Sequence, residues 1–295
     1  MFTPNILQQK TGDGIVKNNG VVRIRAYYPS FSHGEQRIAD YMLDNLSTIQ
    51  RCTISELSNN CHTSTASISR FVKRIGYSNY RDFLFNLATT DEKENDLMAE
   101  IGQKDSTVEI VEKTFNGAIN ALKSTKQMLS EKRLVQAVNI LKHTKKIAFF
   151  GLGGSSIVAL NGYHKFLRTS IDCEYYPDFD IQLMQAVKMT SDQCAIVVSH
   201  SGENRQTVEI ATQLRARHVP VIAITSAPDS DLAQTADVTL ISVGEQVNKH
   251  AESLSSLMAQ LTIVDSLFLA TATDNSEKTT KVIKDVRQVI DSTRK

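Results

Sequence analysis

The sequence predicts an all-α N-terminal domain followed by an α/β domain whose mostly parallel sheet is flanked by helices. Three observations point there. Near the N-terminus, three short amphipathic segments follow one another, ending with 64–76. From Lys146 onward, short apolar runs alternate with helical patterns, as in strands joined by helices within one parallel sheet. Between the two lie the charged run Asp91–Asp96 and a polar break at 102–106. With 295 residues the chain is long enough for two cores, and 41% apolar content is ordinary for them.

Residues 1–27 carry two glycine-containing polar patches and no clear period, so a flexible arm is expected, with Arg23 and Arg25 able to touch nucleic acid. The helical domain is expected over 28–90. From Glu35 to Leu46, Ala39, Met42, Leu43 and Leu46 share one face of a helix. Thr53-Ile-Ser-Glu56 matches a capping box and opens a short helix with Ile54, Leu57 and Cys61 inward. In the next segment Ile68, Phe71, Val72 and Ile75 recur at i, i+3, i+4 and i+7. Ser64 suits its start, and Gly76 suits the left-handed residue that ends a helix.

The opposite face of that last helix carries small hydroxyls, then cations: Thr65, Ser67, Arg70, Lys73 and Arg74. Small polar groups can approach base edges in a major groove while Arg and Lys reach phosphates. A tight turn before it completes a helix-turn-helix unit. The plainer alternative is a small helical bundle with a solvated polar face. Residues 1–90 hold ten Lys/Arg against six Asp/Glu, a mild basic excess that agrees with a DNA-facing domain. No run of eighteen apolar residues and no signal-peptide core occur, so a cytoplasmic chain without a membrane partner is expected. Cys52, Cys61, Cys173 and Cys194 lack metal-site spacing and read as reduced thiols.

Residues 91–130 read as linker and connecting helices, with Val108, Val111, Phe115, Ile119 and Leu122 in loose period. The second domain is expected over 131–295. Leu134, Val138 and Leu141 lead into an apolar strand at 146–150, a glycine turn at 151–156 and a helix through Ala159, Tyr163 and Phe166. A second strand, 195–198, runs into Ser199-His-Ser-Gly-Glu-Asn204 and a helix over 206–217. Strands at 219–225 and 237–241 follow. A strand that ends in a glycine turn aims backbone N–H groups at an anion, and both turns add hydroxyls, so a phosphorylated ligand is expected. The first turn is no dinucleotide fingerprint, since Ser156 stands at the third glycine position, and no Gly-Lys-Ser/Thr makes it a P-loop. No cofactor is expected.

Gly-x-Gly-x-Ser at 151–155 and Ser-x-Ser-Gly-x-Asn at 199–204 resemble the two phosphosugar-binding loops of SIS (sugar isomerase) domains. Glu35–Tyr41 through Ser69–Tyr77 resembles the helix-turn-helix of RpiR/MurR-type regulators, a family that joins these two domains in this order. The resemblance spans roughly residues 30 to 272 and implies a bacterial transcription factor that responds to a sugar phosphate. It assigns Ser155, Ser199 and Ser201 to the phosphate, with the backbone at Gly153 and Gly202 in support. Ser156, Asn204 and Glu252 complete the implied phosphosugar set. Ser64, Thr65, Ala66, Ser67, Arg70 and Lys73 form the implied DNA-reading set. Four positions depart from the family pattern: Asn204 stands in place of Thr, Ser67 in place of Thr, His62 in place of a turn Gly, and Leu257 in place of a frequent Arg.

The rival is a phosphosugar isomerase with an added helical domain, in which His200, Glu203, His250 or Glu252 would move a proton between adjacent carbons. A sugar-phosphate protein acting only on protein partners would leave the cationic helix face without a use. The expected partners are therefore operator DNA and a sugar phosphate effector. A homodimer or homotetramer is also expected, since two-fold symmetry suits palindromic half-sites. Leu254, Leu257, Met258, Leu261, Val264 and Phe268 form a long apolar stripe, and Val282, Val286 and Ile290 continue at helical spacing in the tail.

Overall fold

A computed structural model describes residues 20–87, 104–244, 254–274 and 276–294. The N-terminal unit packs α1 (Gly20–Tyr27), α2 (His33–Asp44), α3 (Leu46–Ile49), α4 (Ile54–Asn60), α5 (Thr65–Arg74) and α6 (Tyr80–Leu87) around one core. Met42, Leu57, Ile68, Phe71 and Phe83 are fully buried there. Capping boxes start α2 (Ser32 with Glu35) and α4 (Thr53 with Glu56). The second of these is the one the sequence predicts.

Residues 20–27 correct the expectation of an arm over 1–27. They form α1, which buries Val21 and Ile24 in the domain core and turns Val22 and Ala26 toward Val243 of the second domain. Covering the helix on two sides removes the one-face period by which it would be recognised. The guanidinium of Arg23, expected to reach nucleic acid, donates to the Ile75 carbonyl at 2.8 Å and lies over the Tyr77 ring.

In the second domain, β1 (Lys146–Gly151), β2 (Asp172–Tyr175), β3 (Cys194–Val198), β4 (Val221–Thr225) and β5 (Val238–Ile241) pair in parallel in the order β2-β1-β3-β4-β5. Side-chain alternation divides the core into two. Ile147, Phe149, Ile196 and Val198 face α8 (Glu131–His143), α9 (Ser155–Phe166) and α13 (Leu254–Asp274). Ala148, Phe150, Ala195 and Val197 face α10 (Phe179–Lys188), α11 (Arg205–Ala216) and α12 (Asp231–Thr235). The chain order reverses between β1 and β3, and ligands of doubly wound sheets bind at the carboxyl ends of such a switch point.

One apolar stripe is placed otherwise than its spacing suggests. In α7 (Thr107–Met128), four of the five residues in loose period, Val108, Val111, Phe115 and Ile119, are exposed. The helix packs on α13 through Gly117, Asn120, Ala121 and Thr125, because the small residues let the two helices approach closely. Thr125 Oγ1 accepts the Val243 N–H at 2.8 Å and fixes α7 to the chain after β5. On α13, Leu257, Leu261, Val264 and Phe268 of the predicted stripe pack on the core with Ala259, Ile263 and Leu267, while Met258 is exposed. Ser255–Thr273 is apolar enough in length and composition to cross a membrane, yet one face of it packs against α7, α8 and α9. The tail forms α14 (Ser276–Ser292), whose Val289 and Ile290 are exposed.

Candidate effector cavity and DNA-reading helix

α5 buries the predicted stripe and leaves Ser64, Thr65, Ala66, Arg70 and Lys73 exposed, with Ser67 half-buried beside them. Ser64 caps the helix by accepting the Ser67 N–H at 3.1 Å, and the two hydroxyls lie 3.0 Å apart. Arg70 donates to the Ser67 hydroxyl at 3.4 Å. Gly76, at φ 92°, ends α5: its N–H reaches the Lys73 carbonyl and the Tyr77 N–H reaches that of Val72. This is a Schellman closure. The turn between α4 and α5 repeats the same bond pattern, with His62 at φ 50° in the left-handed position. Histidine thus takes the left-handed conformation that the family's turn glycine would adopt freely, and the turn forms.

Arg74 is the exception on this face. Its guanidinium donates to Glu35 at 2.6 Å and to Asp229 at 3.1 and 3.2 Å, so it is committed to carboxylates. Burial opposes charge on Glu35, but hydrogen bonds from Arg74 and Ser32 outweigh it and hold the carboxyl below its usual range.

At the sheet's switch point a cavity of about 410 Å³ opens between the two glycine turns. Gly153 and Ser155 line it from the loop after β1, and Ser199, Ser201 and Asn204 from the loop after β3. Gly153 takes φ 56°, which lets the chain reverse into α9. Ser199 Oγ accepts the Gly202 N–H at 3.2 Å, and Ser201 Oγ accepts the Glu203 N–H at 3.3 Å. Both hydroxyls keep their own protons for an anion in the cavity. Asn204 caps α11, accepting from the Thr207 N–H at 3.1 Å.

Two of the sequence-assigned residues do not line the cavity. Ser156 donates its hydroxyl to the Gly153 carbonyl at 2.6 Å and braces the loop from behind. Gly202, at φ 66°, lies against Ser230, where a Cβ would meet the hydroxyl at 2.0 Å. It is required by packing. Glu252, and with it His250, lies outside the described residues. Ser256, Leu257 and Gln260 of α13 and Thr207 of α11 complete the wall. Ser256 and Gln260 are buried polar groups one turn apart on α13, a helix that also carries Ser255, Thr262, Asp265 and Ser266, so residue type alone did not single them out. Of the two acid–base candidates in the described loop, His200 lines the cavity, whereas Glu203 accepts the Asp231 N–H at 3.3 Å and does not.

A helix that offers hydroxyls and cations to a groove, joined to a parallel sheet with an anion-ready cavity at its switch point, defines a DNA-binding regulator with an attached sensor fold. Residues 18–94 match the helix-turn-helix domain of the rpiR family, and residues 140–270 match the SIS domain. An HTH-type transcriptional regulator of Caldanaerobacter subterraneus subsp. tengcongensis is 31% identical over 268 residues, covering 90% of this chain and 95% of that one. HexR, an HTH-type transcriptional regulator of Escherichia coli, is 26% identical, covering 94% and 96%. Among solved structures, Vibrio vulnificus NanR complexed with ManNAc-6P shares the fold at TM-score 0.58 and 24% identity, covering 92% of this chain and 98% of that one. The chain belongs to the RpiR family of helix-turn-helix transcriptional regulators with a C-terminal SIS domain.

Proposed function

We propose that this regulator binds operator DNA through Ser64, Thr65, Ala66, Ser67, Arg70 and Lys73, and that a sugar phosphate in the SIS cavity changes that binding. The observation that carries the effector half is the convergence of Gly153, Ser155, Ser199, Ser201 and Asn204 on one cavity. Hydroxyls and loop N–H groups suit a phosphate, while Ser256, Gln260 and the apolar Leu257 suit a sugar body. The NanR complex with ManNAc-6P supports the ligand class. The effector acts by population shift, favouring whichever arrangement of DNA-reading units it binds better.

The chain regulates and does not catalyse. Its relatives are named as regulators, and of the two acid–base candidates in the described loop only His200 lines the cavity, Glu203 being engaged away from it. A regulator of this family works in the bacterial cytoplasm, where its DNA is. Pairing into a homodimer or homotetramer has support in the exposed apolar residues Ile157 and Leu160 on α9 and Ile181, Met184 and Val187 on α10. The test is a thermal-shift panel of hexose, pentose and N-acetylated amino-sugar phosphates, with the unphosphorylated sugars as controls. A rise in melting temperature with one phosphate and none with its parent sugar is the expected result. Equal shifts with both would remove the phosphate from the proposal. Turnover of the bound phosphate would reinstate the isomerase reading.

A further inference from the structure

The C-terminal turn of the DNA-reading helix is tied directly to the loop behind the effector cavity. Arg74 bridges Glu35 of its own domain and Asp229, which lies in the loop between β4 and α12. Its Nη2 also donates to the Ser30 carbonyl at 2.8 Å, and its guanidinium lies over the Phe31 ring at 5.5 Å. The Asp229 loop is in turn fastened to the effector loop at several points. Ser226 N–H and Thr225 Oγ1 donate to the His200 carbonyl at 2.9 and 3.2 Å. Leu232 N–H donates to the Gly202 carbonyl at 3.1 Å, and Ser230 fills the space against Gly202. A displacement of 199–204 therefore carries Asp229 with it.

The rest of the interface leaves room for such a displacement. Val22 and Ala26 of α1 pack on Val243 at one side, and Arg74–Asp229 closes the other. Between them a cavity of about 320 Å³ separates Tyr28, Asp40 and Leu43 from His200, Ser226 and Ser242. His200 lines this cavity and the effector cavity alike.

We propose that Arg74–Asp229 is a latch, by which the state of the effector loop sets how the DNA-reading unit is held against the sensor. This rests on the cavity reading above. The side chains of the pair are 31% and 38% exposed, so the contact is screened by solvent. It is worth at most about fivefold in the latched population, a scale that ligand binding can reverse. In the latched state Arg74 is withheld from DNA phosphates.

The test is hydrogen exchange on the full chain, comparing wild type with Asp229→Asn, each without and with millimolar inorganic phosphate. Asp229→Asn keeps the shape of the loop and removes its charge. Exchange in 28–32, on the far side of the contact, is expected to rise by up to about fivefold in the variant while strands β1 and β3 stay unchanged. Phosphate is expected to alter exchange at 199–204 in both proteins and at 28–32 in wild type only. Unchanged exchange at 28–32 in the phosphate-free variant would overturn the latch, as would a phosphate response there that survives the substitution. If phosphate leaves 199–204 unaffected in both, the cavity reading fails, and the phosphate-free comparison still decides the latch.

Discussion

Replacing Gly202 by alanine tests whether this glycine serves packing or direct ligand contact. A Cβ built there meets Ser230 Oγ at 2.0 Å, Ser230 Cβ at 2.5 Å and Thr225 Oγ1 at 3.0 Å. The Ser230 hydroxyl alone could rotate away, but its Cβ is fixed to the backbone that begins α12. The loop must therefore move. Holding alanine at φ 66° costs about 1–3 kcal/mol, and overpacking adds about 1–3 kcal/mol. A central loss of about 4 kcal/mol lowers the melting temperature of a domain this size by roughly 8–16 °C. Differential scanning calorimetry reads that loss, and thermal shift with the effector reads the deformation of the 199–204 wall. Gly202→Ala combined with Ser230→Gly removes two of the three clashes and should recover part of the stability. Gly202→Ala melting within about 2 °C of wild type, with effector response intact, would refute the packing argument.

Three further outcomes are expected. Arg70→Ala weakens operator binding about tenfold and lowers its log–log salt slope by about 1, while effector-induced thermal shift is unchanged; the operator is obtained by selection from random duplexes with the wild-type protein. Ser201→Ala removes a hydroxyl donor to a charged phosphate, worth about 1.5–3 kcal/mol, and so weakens effector affinity roughly tenfold to a hundredfold by calorimetry, without changing effector-free DNA binding. Glu35 has its folded value held below the ordinary 4.5, so its contribution to stability is complete above that value and is lost as pH falls through the lower folded one. Chemical melts of wild type and Glu35→Gln should therefore converge as pH drops below about 4.5, and a gap that widens on acidification would reverse the assignment.

Features written into neighbouring residues were legible in the sequence. The i, i+3, i+4, i+7 stripe of α5 and the Thr53–Glu56 box of α4 depend on residues at most seven apart. The strand ends with glycine and hydroxyls are equally local, and they locate both walls of the cavity that loops provide. Elements with divided or irregular burial were not legible. α1 is covered from two sides, and β2 is a four-residue edge strand carrying Asp172 and Glu174. α7 shows its large apolar residues to solvent and buries its small ones. Within the site, Ser256 and Gln260 come from α13, more than fifty residues beyond the second loop. Arg74 looked like one more cation on a DNA face because its partner Asp229 is 155 residues away. The hydrogen bonds that hold Ser156 and Asn204 could not be read from residue type alone.

The cavity draws its two kinds of wall from separate stretches of chain. The phosphate-suited surface is made of loops following β1 and β3, whereas Ser256, Leu257 and Gln260 arrive on α13. On the proposed reading, selectivity among sugars can be altered on one helix without disturbing the anchor shared by all of them. Varying those three positions together gives a compact library for redirecting the regulator to a new metabolite as a genetically encoded reporter.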